Sequence, residues 1–245
     1  MRLFAQLALV AAVVLGAGPV VAQIGTLREG GRPQIWDVRI GGHVRELPLA
    51  DFVDPACGTN GGPRGQLVES FENFVRCPRD TDTGLYEVWF SYDDELELIA
   101  RAHHDETMIN RFRANMLFNV PAILSLLVDD QGLVQGYRII SDTRAPPMIR
   151  MYAHNVARTL MGLARLDEST CINSPPVEGE RPFEGVLIKQ LCRQMIDGRR
   201  VTIEARAFLK AGQNLIDPFT QQPHPNAFES FSSLEVVSAA ALRRP

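Results

Sequence analysis

The chain has 245 residues, of which 45% are hydrophobic and 22% are charged, a composition typical of a folded protein. It excludes disorder, collagen and coiled coil. The 25 Lys and Arg residues against 29 Asp and Glu residues give a net charge of -4, so bulk charge offers no basis for binding nucleic acid or an anionic membrane. We therefore expect a soluble globular protein with no nucleic-acid partner.

The N-terminal segment predicts a cleavable secretory signal peptide over residues 1–22. Arg2 precedes an apolar run over residues 7–15, which is too short to span a bilayer. Val20 and Ala22 place small side chains at the positions that a signal peptidase reads. An uncleaved membrane anchor is the alternative. No later apolar run approaches membrane length, so we expect no transmembrane segment after removal of the signal.

The mature chain, residues 23–245, would carry a net charge of -5 and fold in an oxidising compartment, either the periplasm or the medium. An even number of cysteines in such a chain predicts disulfides. Four cysteines allow three pairings, and the spacing favours two local ones, Cys57 with Cys77 and Cys171 with Cys192. A zinc site is the alternative, but the sequence has no C-x-x-C motif and no His within a few residues of a cysteine.

Alternating and turn-forming patterns predict antiparallel hairpins in the N-terminal half. Gly41 and Gly42 suit a tight turn, and Gly132 suits a left-handed turn position. The predicted elements are a hairpin over 34–47, a strand over 84–92, a helix over 93–104, and a hairpin formed by strands 117–128 and 133–140.

The C-terminal half begins with apolar residues at helical spacing from Ile149 to Leu166, which predict one long helix. A hairpin turn at Asp197 and Gly198 and a last strand over 227–237 follow. The predicted fold class is α+β, with antiparallel hairpins packed against one long and one shorter helix and two local disulfides. We expect a single domain over 23–245; two similar lobes, about 23–145 and 146–245, are the alternative.

Three basic residues on the predicted long helix are the candidate binding site. Arg150, His154 and Arg158 follow one another at intervals of four and would form a stripe opposite the apolar face. Such a stripe could dock a protein partner or a small anionic ligand. His154 would make it more positive as the pH falls. A solvated helix face is the alternative.

An acidic run at the start of the shorter helix contains the weak metal candidates Asp93, Asp94 and Glu97. Carboxylates within one helical turn could hold a hard cation such as calcium. The alternative is helix capping, since acidic side chains suit the positive end of a helix dipole. No serine-hydrolase or dinucleotide motif occurs, so we expect no cofactor and no catalytic residue.

Charge is also segregated along the chain, because residues 87–106 are mainly acidic and residues 181–210 mainly basic. The two segments could face each other within the fold or present two faces to different partners. Together these patterns predict a periplasmic or secreted, non-catalytic binding or accessory protein of the cell envelope that acts through a charged surface. The alternatives are an exported metal-dependent hydrolase and a secreted inhibitor.

Overall fold

The computed structural model describes residues 32–222, 224 and 226–243, and of residues 110–112 only the backbone. The predicted signal peptide over 1–22 lies outside these residues. In the part of the chain that the structure describes, no helix is long and apolar enough to cross a membrane.

One antiparallel sheet dominates the structure. Its strands are β1 (Phe52–Cys57), β2 (Tyr86–Tyr92), β3 (Met116–Leu117), β4 (Val120–Val128), β5 (Val134–Ser141), β6 (Cys171–Asn173), β7 (Ile188–Ile196), β8 (Arg199–Leu209) and β9 (Phe228–Ser238). The described α-helices are α1 (Glu95–Ala102), α2 (Glu106–Phe112), α3 (Pro147–Arg150) and α4 (Val156–Ala164). Short 3-10 helices over 35–37, 44–46, 71–76, 153–155, 168–170 and 241–243 fill the connections.

The strand order is β1-β2-β4-β5-β9-β8-β7-β6, and β3 pairs with β4 outside this path. Strands β1, β2, β4 and β5 therefore form one half of the sheet, and β6 to β9 form the other. The halves meet where β5 pairs antiparallel with β9. The two lobes considered as the alternative to a single domain thus share one continuous sheet.

The core lies between one face of this sheet and α4 together with the 3-10 helices over 35–37, 44–46 and 71–76, whose residues belong to the same apolar cluster. Leu126, Ile139 and Ile203 come from three different strands and Leu160 comes from the helix; all four are fully buried in one apolar cluster. Alternation along each strand sends every second side chain to this face. The helix is also held by hydrogen bonds, because the Ser232 hydroxyl accepts from the Ala157 N–H at 3.0 Å and donates to a carbonyl of the preceding turn.

The antiparallel arrangement is confirmed and the α+β class is compatible with the structure, although the sheet of nine strands is much larger than separate hairpins. The hairpins predicted around Gly132 and Gly198 form as β4–β5 and β7–β8, and both glycines have positive φ. The hairpin predicted over 34–47 is wrong. Side chains cap 3-10 turns there instead: Asp37 accepts from the Gln34 N–H, and His43 accepts from the Arg45 N–H.

The predicted long helix over 149–166 is interrupted. Helix α3 ends at Arg150, and a 3-10 turn precedes α4. Ser230 on β9 explains the break, because its hydroxyl donates to the Met151 carbonyl and accepts from the His154 N–H at 3.1 Å. A side chain of the sheet thus replaces the helical hydrogen bonds at this point.

Both local disulfides are present as predicted. The bond from Cys57 to Cys77 ties the end of β1 to the 3-10 helix over 71–76. The bond from Cys171 to Cys192 joins directly paired residues of β6 and β7. No described cysteine is free.

Candidate functional site

The predicted basic stripe is divided by the break in the helix. Arg150 donates from Nη1 to the Thr143 carbonyl at 2.7 Å and lies over the Phe228 ring at 4.7 Å. His154 and Arg158 instead line a cavity of about 360 Å³ between α4 and β7. The three residues therefore do not lie on consecutive turns of one helix face, and two of them share a cavity that does not include the third.

His154 is held by Ser230, whose hydroxyl oxygen lies 3.1 Å from its Nδ1 atom. Burial lowers the pKa of His154 below its usual value and outweighs the opposite effects of the Met151 backbone and Glu184. The ring is therefore neutral at pH 7. It would add positive charge to the cavity only below the pH at which an exposed histidine does.

Two of the three weak metal candidates are occupied by local contacts, whereas Asp94 is the N-cap residue of α1 and makes no capping hydrogen bond with its side chain. Asp93 accepts from the Glu95 N–H at 2.7 Å. Glu97 is buried, and its two oxygens accept from the Arg101 guanidinium and from the Ala114 N–H at 2.6 Å. Within the described residues, no three His, Cys, Asp or Glu side chains gather to hold a metal ion. The carboxylates of Asp93 and Glu97 therefore stabilise α1 and the chain around it.

The sheet face opposite α4 carries a polar groove of about 620 Å³. Strand register places Arg138 of β5, Glu235 of β9, Thr202 of β8 and Arg193 of β7 in one row across four strands. All four side chains line the groove. The alternation that buries apolar residues against α4 directs this row to the other face.

A loop forms one wall of the groove through Asn60 and Gly61. Gly61 packs against Ile140 so closely that a Cβ atom there would lie 2.7 Å from the Ile140 Cδ1 atom. The Asn60 N–H donates to the Glu87 carboxylate at 2.7 Å, which fixes the loop over β2. This loop thus bounds the groove on the side of the first half of the sheet.

The floor of the groove is a buried network of ion pairs centred on Arg138. Its Nη1 atom lies 3.0 Å from Asp80 and 3.7 Å from Glu87, and its Nη2 atom lies 2.7 Å from Glu235. The side chains of Arg138, Asp80 and Glu87 are 3%, 2% and 5% exposed. Burial alone would lower the pKa of Arg138, but Asp80 and Glu235 raise it overall. This arginine is therefore permanently charged and serves as a structural cation.

The pKa of Asp80 is lowered, whereas that of its partner Arg138 is raised. Burial would raise the pKa of Asp80, but the hydrogen bonds from Arg138 and Thr83 together lower it below the usual value. The carboxylate is ionised at neutral pH. Arg138 and Asp80 therefore form a charged pair at neutral pH.

Other residues that line the groove have unused binding capacity. The Thr202 Oγ1 atom is buried and has no hydrogen-bond partner among the described residues. Arg193 is exposed and Asp82 is exposed, and within the described chain neither has an oppositely charged side chain at ion-pair distance. By contrast, Arg200 is paired with Glu235 at 2.9 Å. A ligand can therefore form hydrogen bonds or ion pairs with these residues without breaking the ion pairs of Arg138 and Arg200.

Sequence reasoning identified the basic segment over 181–210 but missed the groove. The available signal was the alternation along β8, where the polar residues Arg200, Thr202, Glu204 and Arg206 alternate with the buried residues Val201, Ile203, Ala205 and Ala207. The acidic segment over 87–106 does not face this one across neighbouring strands. Three strands separate β2 from β8.

Comparison with known proteins assigns no role to any of these residues. No protein-family model, curated protein or solved structure matches this chain.

Proposed function

We propose that this chain is an exported, non-catalytic binding protein of the cell envelope that holds a polypeptide segment of a partner protein in the groove. One observation carries the proposal: the network around Arg138 is internally ion-paired, whereas Thr202, Arg193 and Asp82, which also line the groove, retain unused hydrogen-bonding and charge capacity. The two disulfides and the predicted signal peptide support export.

The dimensions of the groove suit a short extended peptide. Four neighbouring strands span about 14 Å, since adjacent strands lie about 4.8 Å apart. An extended chain rises about 3.3 Å per residue, so about four residues fit across the groove. Because the unpaired groups have opposite signs, the segment that complements them carries both an acidic and a basic residue.

The chemistry of the groove supports binding over acid–base catalysis. General acids and bases work best with pKa values near the operating pH. Here the pKa of Arg138 is raised and that of Asp80 is lowered, so both shifts move these groups away from neutrality. The described residues that line the groove include no His and no Cys.

Fluorescently labelled hexapeptides of four kinds test the proposal: acidic, basic, neutral polar, and mixed with one Asp and one Arg. Fluorescence anisotropy with the mature protein should show the tightest binding for mixed peptides. Arg193→Glu should weaken that binding by about tenfold or more, because one charge-assisted contact becomes a repulsion. High salt should weaken it as well.

Arg158→Glu is the matched control, because it makes the same charge change on the helix-covered face. It should leave peptide binding unchanged. If Arg158→Glu alone weakens binding, the partner docks at the cavity of His154 and Arg158, and the assignment to the groove is wrong. If no peptide binds, or if all four kinds bind equally, the proposal fails.

A further inference from the structure

A second cavity, of about 310 Å³, lies on the other side of the molecule from the groove network, between the N-terminal 3-10 turns and the segment that leads into β1. Its inner wall is apolar: Leu47, Phe52 and Val134 line it and are buried. The volume and the apolar wall match those of small-molecule sites, which combine hydrocarbon surface with a few polar groups. The groove differs in having charged residues on its floor.

The walls of this cavity are fixed before any ligand arrives. The segment that carries Gly41 and Gly42 is bonded to the start of β5 in both directions, since the Gly41 N–H donates to the Val134 carbonyl at 2.7 Å and the Val134 N–H donates to the Gly42 carbonyl at 2.8 Å. Behind the cavity, Phe52 stacks on Phe90 with ring centroids 4.3 Å apart. Binding therefore costs little ordering of the protein.

The rim of the cavity is mainly acidic. Asp37, Glu46 and Asp51 line it, against Arg39 as the one permanent cation of the lining and His43 as a second titratable base. One Asp37 oxygen accepts from a backbone N–H. Among the described residues, none donates a hydrogen bond to the side chains of Glu46 and Asp51 or lies at ion-pair distance from them.

Two of these carboxylates are placed at the rim by the chain around them. Gly42 leaves space for Glu46, whose Oε2 atom lies 3.2 Å from the position that a Cβ of residue 42 would occupy. Asp51 is half-buried in the turn before β1, where its N–H donates to the Pro48 carbonyl at 2.9 Å. Burial raises the pKa of Asp51, an effect that Arg32 opposes and Asp93 reinforces. A desolvated carboxylate of this kind gains from a cation placed beside it.

We propose that this cavity binds a small organic cation with a hydrocarbon body, such as a primary alkylamine, whose ammonium group lies at the acidic rim and whose chain lies against Leu47, Phe52 and Val134. Charge complementarity selects the cation, since three carboxylates face one arginine. The apolar wall selects an amine with a hydrocarbon chain over a hydrated metal ion. This site is separate from the groove and does not depend on its function.

Isothermal titration calorimetry of the mature protein with n-hexylamine, 1-hexanol and sodium hexanoate at pH 7 tests the proposal. These probes share one hydrocarbon chain and differ in charge. Hexylamine should bind at least tenfold more tightly than hexanol, and hexanoate should not bind. Asp51→Asn and Glu46→Gln should each weaken hexylamine binding by about tenfold while leaving hexanol binding unchanged, because each removes one charged acceptor.

Asp82→Asn is the control, since it removes the same kind of charge at the groove; it should leave hexylamine binding as in the wild type. Folding of each variant is checked by its thermal midpoint. The side chains of Glu46 and Asp51 make no hydrogen bond to the described residues, so their variants should fold. Equal affinity for hexylamine and hexanol, preference for hexanoate, no binding of hexylamine, or unchanged binding in both carboxylate variants would each overturn the proposal.

Discussion

Arg138 of β5 and Glu235 of β9 stand directly opposite each other, and their side chains form an ion pair of 2.7 Å at the junction between the two halves of the sheet. Each half contributes further members: Asp80 and Glu87 from the first, and Arg200 from the second. The network that floors the groove therefore also joins the halves. Substitutions that break this network should therefore lower the stability of the whole sheet.

Replacing Arg138 with methionine should strongly destabilise the fold. The variant leaves Asp80 and Glu87 buried without their cation, and breaking a buried ion pair from one side costs about 3–5 kcal/mol. Urea unfolding at pH 7 measures the change. Arg144→Met is the control, because Arg144 forms an exposed pair with Asp142 and its loss should cost less than about 1 kcal/mol. Similar losses in both variants would contradict the structural role of Arg138.

Two glycines should respond to alanine in opposite directions. A Cβ atom at Gly136 would lie 2.2 Å from the Val236 carbonyl oxygen, so alanine there would push β5 away from β9. We expect a loss of about 1–3 kcal/mol, as for other overpacked sites. Gly162 lies in α4 with open space around it, and alanine there should stabilise the protein by about 0.5–1 kcal/mol. Chemical denaturation compares the two, and changes of the same sign would refute this account of Gly136.

Removal of either disulfide should cost a similar free energy but loosen different parts of the chain. The bonds close loops with separations of 20 and 21 residues, so replacing either pair with alanine should cost about 3 kcal/mol. Loss of Cys171–Cys192 should also speed amide exchange in β6, which is a short edge strand. Loss of Cys57–Cys77 should instead speed exchange in the 3-10 helix over 71–76. Hydrogen exchange that rises equally everywhere would contradict these local roles.

Short sequence patterns correctly predicted the structural elements that are determined by a few neighbouring residues. Gly132 and Gly198 mark turns that form as predicted, because positive φ at a hairpin turn is a property of a few neighbouring residues. The cysteine spacing likewise predicted both disulfides. The hairpin over 34–47 failed because side-chain caps from Asp37 and His43 competed with strand pairing.

Features that depend on contacts between residues far apart in the sequence could not be predicted from such patterns. The break in the helix over 149–166 comes from Ser230, 76 residues after His154, so no helical periodicity could reveal it. The groove needs the register of four strands, of which β5 comes from the first half of the sheet and β7, β8 and β9 come from the second. Alternation along β8 showed which side chains share a face, but the sheet order decides that Arg138 and Glu235 lie beside them.

The stability of the fold should fall between pH 7 and pH 5 in part because of His154. Burial lowers its pKa in the folded state below the value near 6.5 expected for the unfolded chain. As the pH falls, the unfolded chain binds a proton at this position before the folded one does, so the free energy of unfolding decreases until the pH is below both pKa values. His154→Gln removes this contribution, and the loss of stability between pH 7 and pH 5 should be smaller in this variant than in the wild type. Urea unfolding at both pH values measures this difference in stability.

Arg158→Gln is the control, because it changes the same cavity with a side chain whose charge is permanent. If His154→Gln loses as much stability as the wild type over this range, burial of the neutral ring does not contribute to the pH dependence.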